Sequence, residues 1–219
     1  MKSSNPASEK YYGEVAESYD SMRSSKPAYK SDQLDLECYL SQHTKLDAIY
    51  LDIPCGTGRA ADLIVNSGGH YIGMDISEDM IKVLQRTSRV NTITKIGDML
   101  NIPMEDKSVD YVISIKGLKW LTNESMVFQA LSEFSRVARE GAFINLKIDY
   151  YRRKKMGGYV LHAIKKFFNL QRRESENLAT ISLDKSNFER MVANLGFNII
   201  EVRVNRASSK VHNYFLTLR

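Results

Sequence analysis

Short apolar segments alternate with helical patterns along most of this sequence, and this alternation restricts the fold more than any other feature. Five segments, rich in β-branched and aromatic residues, predict buried parallel strands at 48–53, 70–75, 91–96, 109–115 and 142–148. Helical patterns follow three of them, at 59–66, 77–86 (with Ser77 as N-cap) and 124–139. A strand, a helix and a strand at this pitch form a right-handed βαβ unit, so the sequence predicts an α/β fold with a parallel sheet.

The C-terminal part predicts a different arrangement. The pattern Ser186-x-x-Glu189 is typical of a capping box at the start of a helix, and Gly196 is expected to end that helix. Two strands follow at 198–204 and 210–218, and their short connection predicts an antiparallel hairpin at the sheet edge. A chain of 219 residues suits one core, so we expect a single domain over 1–219.

Residues 149–185 interrupt the alternation, since a strand-to-helix connection usually needs only a few residues. The stretch from 150 to 173 carries eight cationic side chains and no acid, and without these charges the chain's net charge of +5 would become −3. Five apolar residues recur there at helical spacing: Val160, Leu161, Ile164, Phe167 and Phe168. The segment is expected to be a basic lid inserted after strand five. A helix packed against the sheet, or contact of 158–170 with a membrane surface, would explain the pattern as well.

Composition predicts a cytoplasmic protein without a metal site. No apolar run approaches the roughly 20 residues of a membrane span, and the N-terminus lacks the apolar region of a signal peptide. Cys38 and Cys55 form no CxxC motif, and the four histidines are scattered, so neither a disulfide framework nor a zinc site is expected.

A glycine turn joins the first predicted strand to the first predicted helix in LDIPCGTGR, residues 51–59. Gly56 and Gly58 would let the backbone approach a ligand closely, beside the free N–H groups of the helix N-terminus. Asp52, Asp75 and Asp98 stand at or just after the ends of three successive strands, 23 residues apart. Because adjacent parallel strands end at the same crevice of an open sheet, these three acids are expected to converge there.

Each acid has a physical role if the ligand is an adenosine derivative. Asp75 lies about 20 residues beyond the glycine turn, the spacing at which an acid accepts hydrogen bonds from ribose hydroxyls. Asp98 can accept a hydrogen bond from the adenine amine, with Ile76 and Met99 flanking the ring. Asp52 places a negative charge near the loop, which repels a pyrophosphate and suits a cationic ligand.

The motifs LDIPCGTGR, GMDIS, GDMLNIP and DYVIS resemble, in order and spacing, the cofactor motifs of class I S-adenosylmethionine-dependent methyltransferases. The stretch from Tyr11 to Asp20 is similar to the opening segment of the subgroup that methylates small molecules, such as quinone C-methyltransferases and sugar N- and O-methyltransferases. The likeness covers residues 10–148 and, more weakly, 186–218. It implies a Rossmann-like, seven-stranded, mostly parallel sheet with helices on both faces and the last strand antiparallel. It also implies S-adenosyl-L-methionine as methyl donor and S-adenosyl-L-homocysteine (SAH) as product.

The resemblance further implies roles for individual residues. Asp52 and Gly56 would hold the methionine part of the cofactor and Asp75 the ribose. Asp98 and Met99 would hold the adenine. On this basis the predicted cofactor site comprises Tyr11, Tyr19, Asp52, Pro54, Cys55, Gly56, Gly58, Asp75, Ile76, Asp98, Met99 and Ile115.

Residues 1–47 would form a helical segment that closes the site through Tyr11 and Tyr19. The chain departs from the family pattern where Pro54 replaces the usual first glycine, and where the residues after strand four, IKGLKWL, lack the histidine of many relatives. No catalytic residue is therefore predicted. Four side chains near the site by motif position, or on the lid, are left without an assigned role: Tyr11, Tyr19, Lys119 and His162.

The sequence predicts that three residues contact the methyl acceptor: Trp120, Arg152 and Arg153. The predicted function is methyl transfer to a small-molecule acceptor, acidic or phosphate-bearing, by in-line displacement that depends on positioning. Asp52 in the loop and the missing Gly-x-Gly-x-x-Gly disfavour an NAD-dependent oxidoreductase. An RNA methyltransferase could use the basic stretch, but no Asn-Pro-Pro-Tyr motif follows strand four. The sequence leaves three questions open: whether the chain is instead a non-catalytic partner subunit, which atom is methylated, and what the oligomeric state is.

Overall fold

A computed structural model describes residues 13–148 and 183–218 of the chain. Its helices are α1 Glu14–Arg23, α2 Pro27–His43, α3 Ala61–Asn66, α4 Glu78–Thr87, α5 Glu124–Val137 and α6 Lys185–Asn194. Its strands are β1 Ile49–Asp52, β2 His70–Asp75, β3 Ile93–Ile96, β4 Val109–Ile115, β5 Ala138–Lys147, β6 Phe197–Val204 and β7 Val211–Leu218. The predicted alternation of strands and helices is therefore confirmed from residue 49 onward.

The seven strands form one sheet in the order β3-β2-β1-β4-β5-β7-β6. Strands β1 to β5 pair in parallel, and β7 runs antiparallel to both β5 and β6. This confirms the α/β class and the mostly parallel seven-stranded sheet whose last strand is antiparallel. The predicted C-terminal hairpin is β6 and β7. Its second strand lies inside the sheet, and its first strand forms the edge.

Apolar side chains on the two faces of the sheet make two separate cores, each covered by helices. One face packs against α5 and α6, where Phe134 and Phe188 are fully buried. The other packs against α2, α3 and α4, where Tyr39 and Ile64 are buried. Helices on both faces, as predicted, leave only the ends and edges of the sheet open. A parallel sheet enclosed in this way has its binding crevice at the carboxyl ends of its strands.

Three local predictions were wrong. Strand β3 is not buried, because it lies at the sheet edge with β2 as its one partner, and Ile93 and Ile96 are each 56% exposed. Strand β5 begins at Ala138, four residues before its predicted start at 142, because its hydrogen-bonded pairing with β4 extends back to the end of α5. Helix α6 is capped by Asp184, whose carboxylate accepts a hydrogen bond from the Asn187 amide (3.2 Å), and not by Ser186. Gly196, with φ of +84°, follows the helix end as expected.

The inserted segment departs from β5 and returns beside it. Ile148 and Leu183 form a parallel bridge, and both side chains are fully buried. The last three residues of the predicted insertion, 183–185, therefore belong to the bridge and to the start of α6. The predicted lid helix and the basic stretch of 149–173 lie outside the described residues.

Candidate functional site

A cleft of about 690 Å³ opens at the carboxyl ends of the strands, where the sheet order changes direction between β1 and β4. An open α/β sheet binds its ligand at such a switch point. The ends of β2 and β4, the loops after β1 to β4, and helices α1 and α4 line this cleft, which we call the cofactor cleft. Its lining residues are Tyr19, Ile53, Pro54, Cys55, Gly56, Thr57, Arg59, Asp75, Ile76, Met80, Gly97, Asp98, Met99, Ile115, Lys116 and Trp120.

The glycine turn between β1 and α3 is tied to the end of β2. The Cys55 amide donates to the Met74 carbonyl (2.9 Å), and the Gly56 amide donates to Oδ2 of Asp75 (2.8 Å). Gly56 has φ of +55°, and a Cβ placed there would meet no atom within 4 Å. The backbone at Gly56 is therefore open on its Cα side, as a close approach by a ligand requires.

Gly58 needs glycine for a different reason. Its φ is +88°, and a Cβ at this position would lie 2.2 Å from Cδ1 of Leu84 in α4. The close packing of the turn against α4 excludes a side chain here. Gly58 is also absent from the lining of the cofactor cleft, so its described contacts are those of a packing residue.

Asp75 ends β2 and lies in the wall of the cleft, 7% exposed. Its two carboxylate oxygens accept hydrogen bonds from the Gly56 amide (2.8 Å) and the Ser77 amide (2.9 Å). Burial raises the pKa of Asp75, and these amide donors oppose that rise. Each carboxylate oxygen has a second lone pair, so Asp75 keeps capacity to accept further hydrogen bonds from a ligand.

Asp52 lies behind the glycine turn and not in the lining of the cleft. Its side chain is 1% exposed, and Oδ2 accepts a hydrogen bond from the Tyr71 hydroxyl (2.9 Å). Burial raises the pKa of Asp52 to about 7, although the Tyr71 hydrogen bond and the charge of Arg59 both lower it. A direct contact between Asp52 and a ligand is therefore not part of this geometry. Its negative charge can still attract a cationic ligand on the other side of the glycine turn.

The loop after β3 supplies the opposite side of the cleft. Asp98 accepts a hydrogen bond from the Leu100 amide through Oδ1 (3.0 Å) and forms a bridge with Asn101. Met99 and Ile76 are among the apolar lining residues. An acid and apolar side chains in the same lining suit a flat ring that carries an amine at its edge.

Helix α1 lies over the rim of the cleft because it packs on α4. Ala16 contacts Met80 and Val83 in a small apolar cluster that includes Tyr19, and the Gly13 amide donates to Oδ2 of Asp79 (2.8 Å). Tyr19 lines the cleft. Tyr11, Arg152, Arg153 and His162 lie outside the described residues.

The end of β4 carries a lysine in the left-handed region, Lys116, with φ of +61°. Its side chain is 21% exposed, and its ammonium lies 3.1 Å from Oδ2 of Asp32. Burial lowers the pKa of Lys116, and the Asp32 carboxylate opposes this shift. Trp120 lines the cleft nearby, with the ammonium of Lys119 4.5 Å from its ring centroid. Lys119 itself is not among the lining residues.

A second cavity of about 370 Å³ adjoins the cofactor cleft, and we call it the basic cavity. Its lining is Tyr19, Arg23, Lys26, Ala28, Tyr29, Asp32, Arg59 and Lys116. Tyr19, Arg59 and Lys116 line both spaces. The guanidinium of Arg59 also lies 4.1 Å from the ring centroid of Tyr29.

Sequence reasoning missed Arg59, Lys116 and Asp32. Arg59 directly follows the glycine turn and Lys116 directly follows β4, so both lie at positions that could have been singled out. Asp32 stands within α2 and carries no local signal. Its partner Asn145 is 113 residues away in the chain.

Comparison with known proteins adds to this geometry. A family described as a methyltransferase domain matches residues 51–146. A demethylmenaquinone methyltransferase of Staphylococcus haemolyticus is 30% identical over 177 residues, which are 74% of this chain and 73% of the relative. A malonyl-[acyl-carrier protein] O-methyltransferase of Yersinia pestis is 32% identical over 135 residues, 61% of this chain and 46% of the relative.

The chain belongs to the class I S-adenosylmethionine-dependent methyltransferases. The fold agrees: magnesium protoporphyrin IX methyltransferase from Synechocystis PCC 6803, solved with bound SAH, has a TM-score of 0.70 over 97% of this chain and 98% of its own, at 14% identity. The predicted family, enzyme class and donor are thereby confirmed. Within 13–148 and 183–218 there is no cluster of three or more potential metal ligands. No helix in these same ranges is long and apolar enough to cross a membrane.

Proposed function

We propose that this methyltransferase acts on a small molecule with an acidic group, a carboxylate or a phosphate, which binds in the basic cavity. The observation that carries the proposal is the lining of that cavity, where four cationic side chains stand against one carboxylate, Asp32. The basic cavity meets the cofactor cleft at Tyr19, Arg59 and Lys116. An acceptor in one space would therefore lie next to a methyl donor in the other.

The cofactor cleft suits S-adenosylmethionine in three respects. Asp75 has acceptor capacity left for a ribose hydroxyl, and Asp98, in the same lining as Ile76 and Met99, suits the adenine edge. The open Cα side of Gly56 accommodates close approach by the amino-acid part. When bound, the cofactor supplies a methyl group on a sulfonium, which is already a strong electrophile.

Asp52 would favour this cationic donor through its charge. A positive sulfonium or ammonium near the glycine turn stabilises the ionised carboxylate, and the effect is large across a buried, water-poor wall. Because Asp52 has a pKa of about 7, this interaction should depend on pH near neutrality. Tyr71 holds the carboxylate in place by its hydrogen bond.

Catalysis would then require mainly that the acceptor atom and the methyl group are held in line. Tyr19 and Trp120 both line the cleft, and α1, which carries Tyr19, packs beside it on α4. We assign no general base. If the acidic group of the acceptor is itself the nucleophile, its anionic oxygen has no proton to lose.

The basic segment of 151–173 is proposed to act as a lid over the acceptor. The chain leaves β5 at Ile148 and re-enters the described residues at Leu183, which pairs with Ile148 directly beyond the carboxyl end of β5. Replacing Arg152 and Arg153 by alanine should raise KM for the acceptor and leave SAH affinity unchanged. An unchanged KM would contradict the lid. Binding of the wild type to anionic vesicles, lost on replacing Phe167 and Phe168, would favour the membrane alternative.

A labelling experiment tests the acceptor class. A metabolite extract is separated on an anion-exchange column at neutral pH, and each fraction is incubated with the enzyme and cofactor labelled in its methyl group. We expect label to enter an organic product only in fractions that the column retained, and Asp75→Ala to abolish the transfer. Transfer only in the unretained fraction would contradict an acidic acceptor, and label that becomes sensitive to ribonuclease would indicate an RNA substrate.

A further inference from the structure

Asp32 in α2 is a carboxylate with no exposed surface, at the floor of the basic cavity. Its Oδ1 accepts hydrogen bonds from two side-chain amides, Asn145 (3.0 Å) and Asn205 (2.6 Å). Its Oδ2 faces two cations, the Lys116 ammonium at 3.1 Å and the Arg59 guanidinium at 3.6 Å. Both oxygens are therefore held from several strands and loops, and the carboxylate has a fixed position.

The single carboxylate of Asp32 is therefore paired with two cations, which leaves one positive charge unbalanced. The nearest second acid in α2, Asp35, has partners of its own: it accepts a hydrogen bond from Asn213 (2.6 Å) and lies 3.9 Å from Arg203. On the cofactor side, Asp52 is hydrogen-bonded to Tyr71 and, with a pKa of about 7, is only partly ionised at neutral pH. Asp35 is thus already paired, and Asp52, whose pKa the charge of Arg59 lowers, supplies only part of the missing negative charge.

Arg23 and Lys26 add to the excess of positive charge around the basic cavity. Both line the basic cavity, and neither forms an ion pair with a described carboxylate. The Nε atom of Arg59 is buried and has no hydrogen-bond partner among the described residues. A buried cation without a full set of partners is costly, so the site favours any anion that can enter.

Lys116 lies in the left-handed backbone region, and its ammonium is held in place by its pairing with Asp32. A lysine in the left-handed region is strained relative to a glycine, and this strain is a cost to folding. The pairing with Asp32 offsets this cost, and it directs the ammonium to the boundary of the two cavities. Arg59 reaches the same boundary from the start of α3, and its planar guanidinium offers paired donors to a carboxylate or phosphate.

We propose that Arg59 and Lys116 form an anion site at the junction of the two cavities, with Asp32 as the fixed counter-ion that positions both. The site takes a carboxylate or a phosphate group. That group belongs either to the acceptor or to the amino-acid part of the cofactor, and in this respect the inference rests on the proposed function.

Thermal unfolding in inorganic phosphate tests the site without any substrate. The melting temperature is measured in phosphate and in chloride of equal ionic strength. At a phosphate concentration about thirty times its dissociation constant, we expect a rise of about 4–8 °C beyond that in chloride. The extra rise should vanish in Arg59→Gln and in Lys116→Asn, since asparagine keeps the left-handed backbone but removes the charge.

Two matched variants control for general effects on charge and backbone. Lys107 is also a lysine in the left-handed region, with φ of +53°, and it donates to the carbonyls of Ser135 and Ala138 away from both cavities. Arg139 pairs with Asp110 at 3.3 Å near the start of β4. Lys107→Asn and Arg139→Gln should keep the full response to phosphate.

Saturating SAH distinguishes the two sources of the anion. If the phosphate response persists with SAH bound, the site serves the acceptor. If SAH abolishes it, and Arg59→Gln weakens SAH at least tenfold while the affinity for 5′-methylthioadenosine, which lacks the amino acid, is unchanged, the site serves the cofactor.

The anion site is refuted if phosphate gives no response beyond chloride, or if all four variants respond like the wild type. A phosphate response that depends on Arg59 and Lys116, in a protein that neither binds SAH nor transfers methyl groups, would uphold the anion site. The same result would refute the proposed function.

Discussion

Replacing Gly56 and Gly58 separately by alanine should distinguish a ligand-facing glycine from a packing glycine. Both have positive φ, so either alanine adds backbone strain of roughly 1 kcal/mol. At Gly56 the new methyl group meets no atom within 4 Å, and strain is the whole cost to folding. At Gly58 the methyl group would lie 2.2 Å from Leu84 Cδ1, and Leu84 is 1% exposed. Moving a buried leucine adds about 1–3 kcal/mol.

Urea unfolding and calorimetry with SAH measure the two consequences. We expect Gly56→Ala to lose about 1 kcal/mol of unfolding free energy and Gly58→Ala roughly 2–4 kcal/mol. SAH affinity should fall at least tenfold in Gly56→Ala, whose methyl group occupies the space of the ligand, and stay within about twofold in folded Gly58→Ala. Gly196→Ala is the matched control, since Gly196 has φ of +84° and an open Cα side far from the cleft. If Gly56→Ala binds SAH as tightly as Gly196→Ala, the backbone at Gly56 does not contact the cofactor.

Three further predictions follow from individual carboxylates. Asp75→Asn should weaken SAH binding by roughly 10- to 100-fold in calorimetry, as for lost hydrogen bonds to a charged acceptor, and unchanged affinity would contradict its ribose role. Because burial raises the Asp52 pKa from 3.8 to about 7, its favourable contribution to stability is complete below about pH 4 and is lost as the pH rises to 7. Urea unfolding should therefore show that the wild type loses roughly 4 kcal/mol of unfolding free energy relative to Asp52→Asn over this pH range. If the unfolding free energies of the two proteins change with pH in parallel, the pKa of Asp52 is not raised. Asp184→Ala should cost about 1 kcal/mol of unfolding free energy and Ser186→Ala much less, and the reverse order would refute the observed cap.

Much of the cofactor cleft was predictable because its signals are local. The glycine turn, the strand before it and the spacing of Asp52, Asp75 and Asp98 each depend on a few neighbouring residues. Adjacent parallel strands must end at the same crevice, so the positions of Asp75 and Asp98 followed once the strands were assigned. Asp75 and Asp98 do line the cleft, together with Tyr19, Pro54, Cys55, Gly56, Ile76, Met99, Ile115 and Trp120.

Burial and distant contacts were not predictable in this way. Nothing in the sequence near Asp52 indicates that it lies behind the turn, or that Gly58 packs on a leucine 26 residues further along. The edge position of β3 depends on which strands pair, and that is decided by the whole sheet.

The basic cavity shows the difference most clearly. The sequence by itself determined the family, the α/β sheet and the crevice, because periodicity and motif spacing are properties of short stretches of chain. Only the tertiary structure brought Asp32 to Asn145, Asn205 and Lys116, which lie between 84 and 173 residues away along the chain. A buried charge selects partners by proximity in three dimensions, and such partners leave no periodic pattern in the sequence.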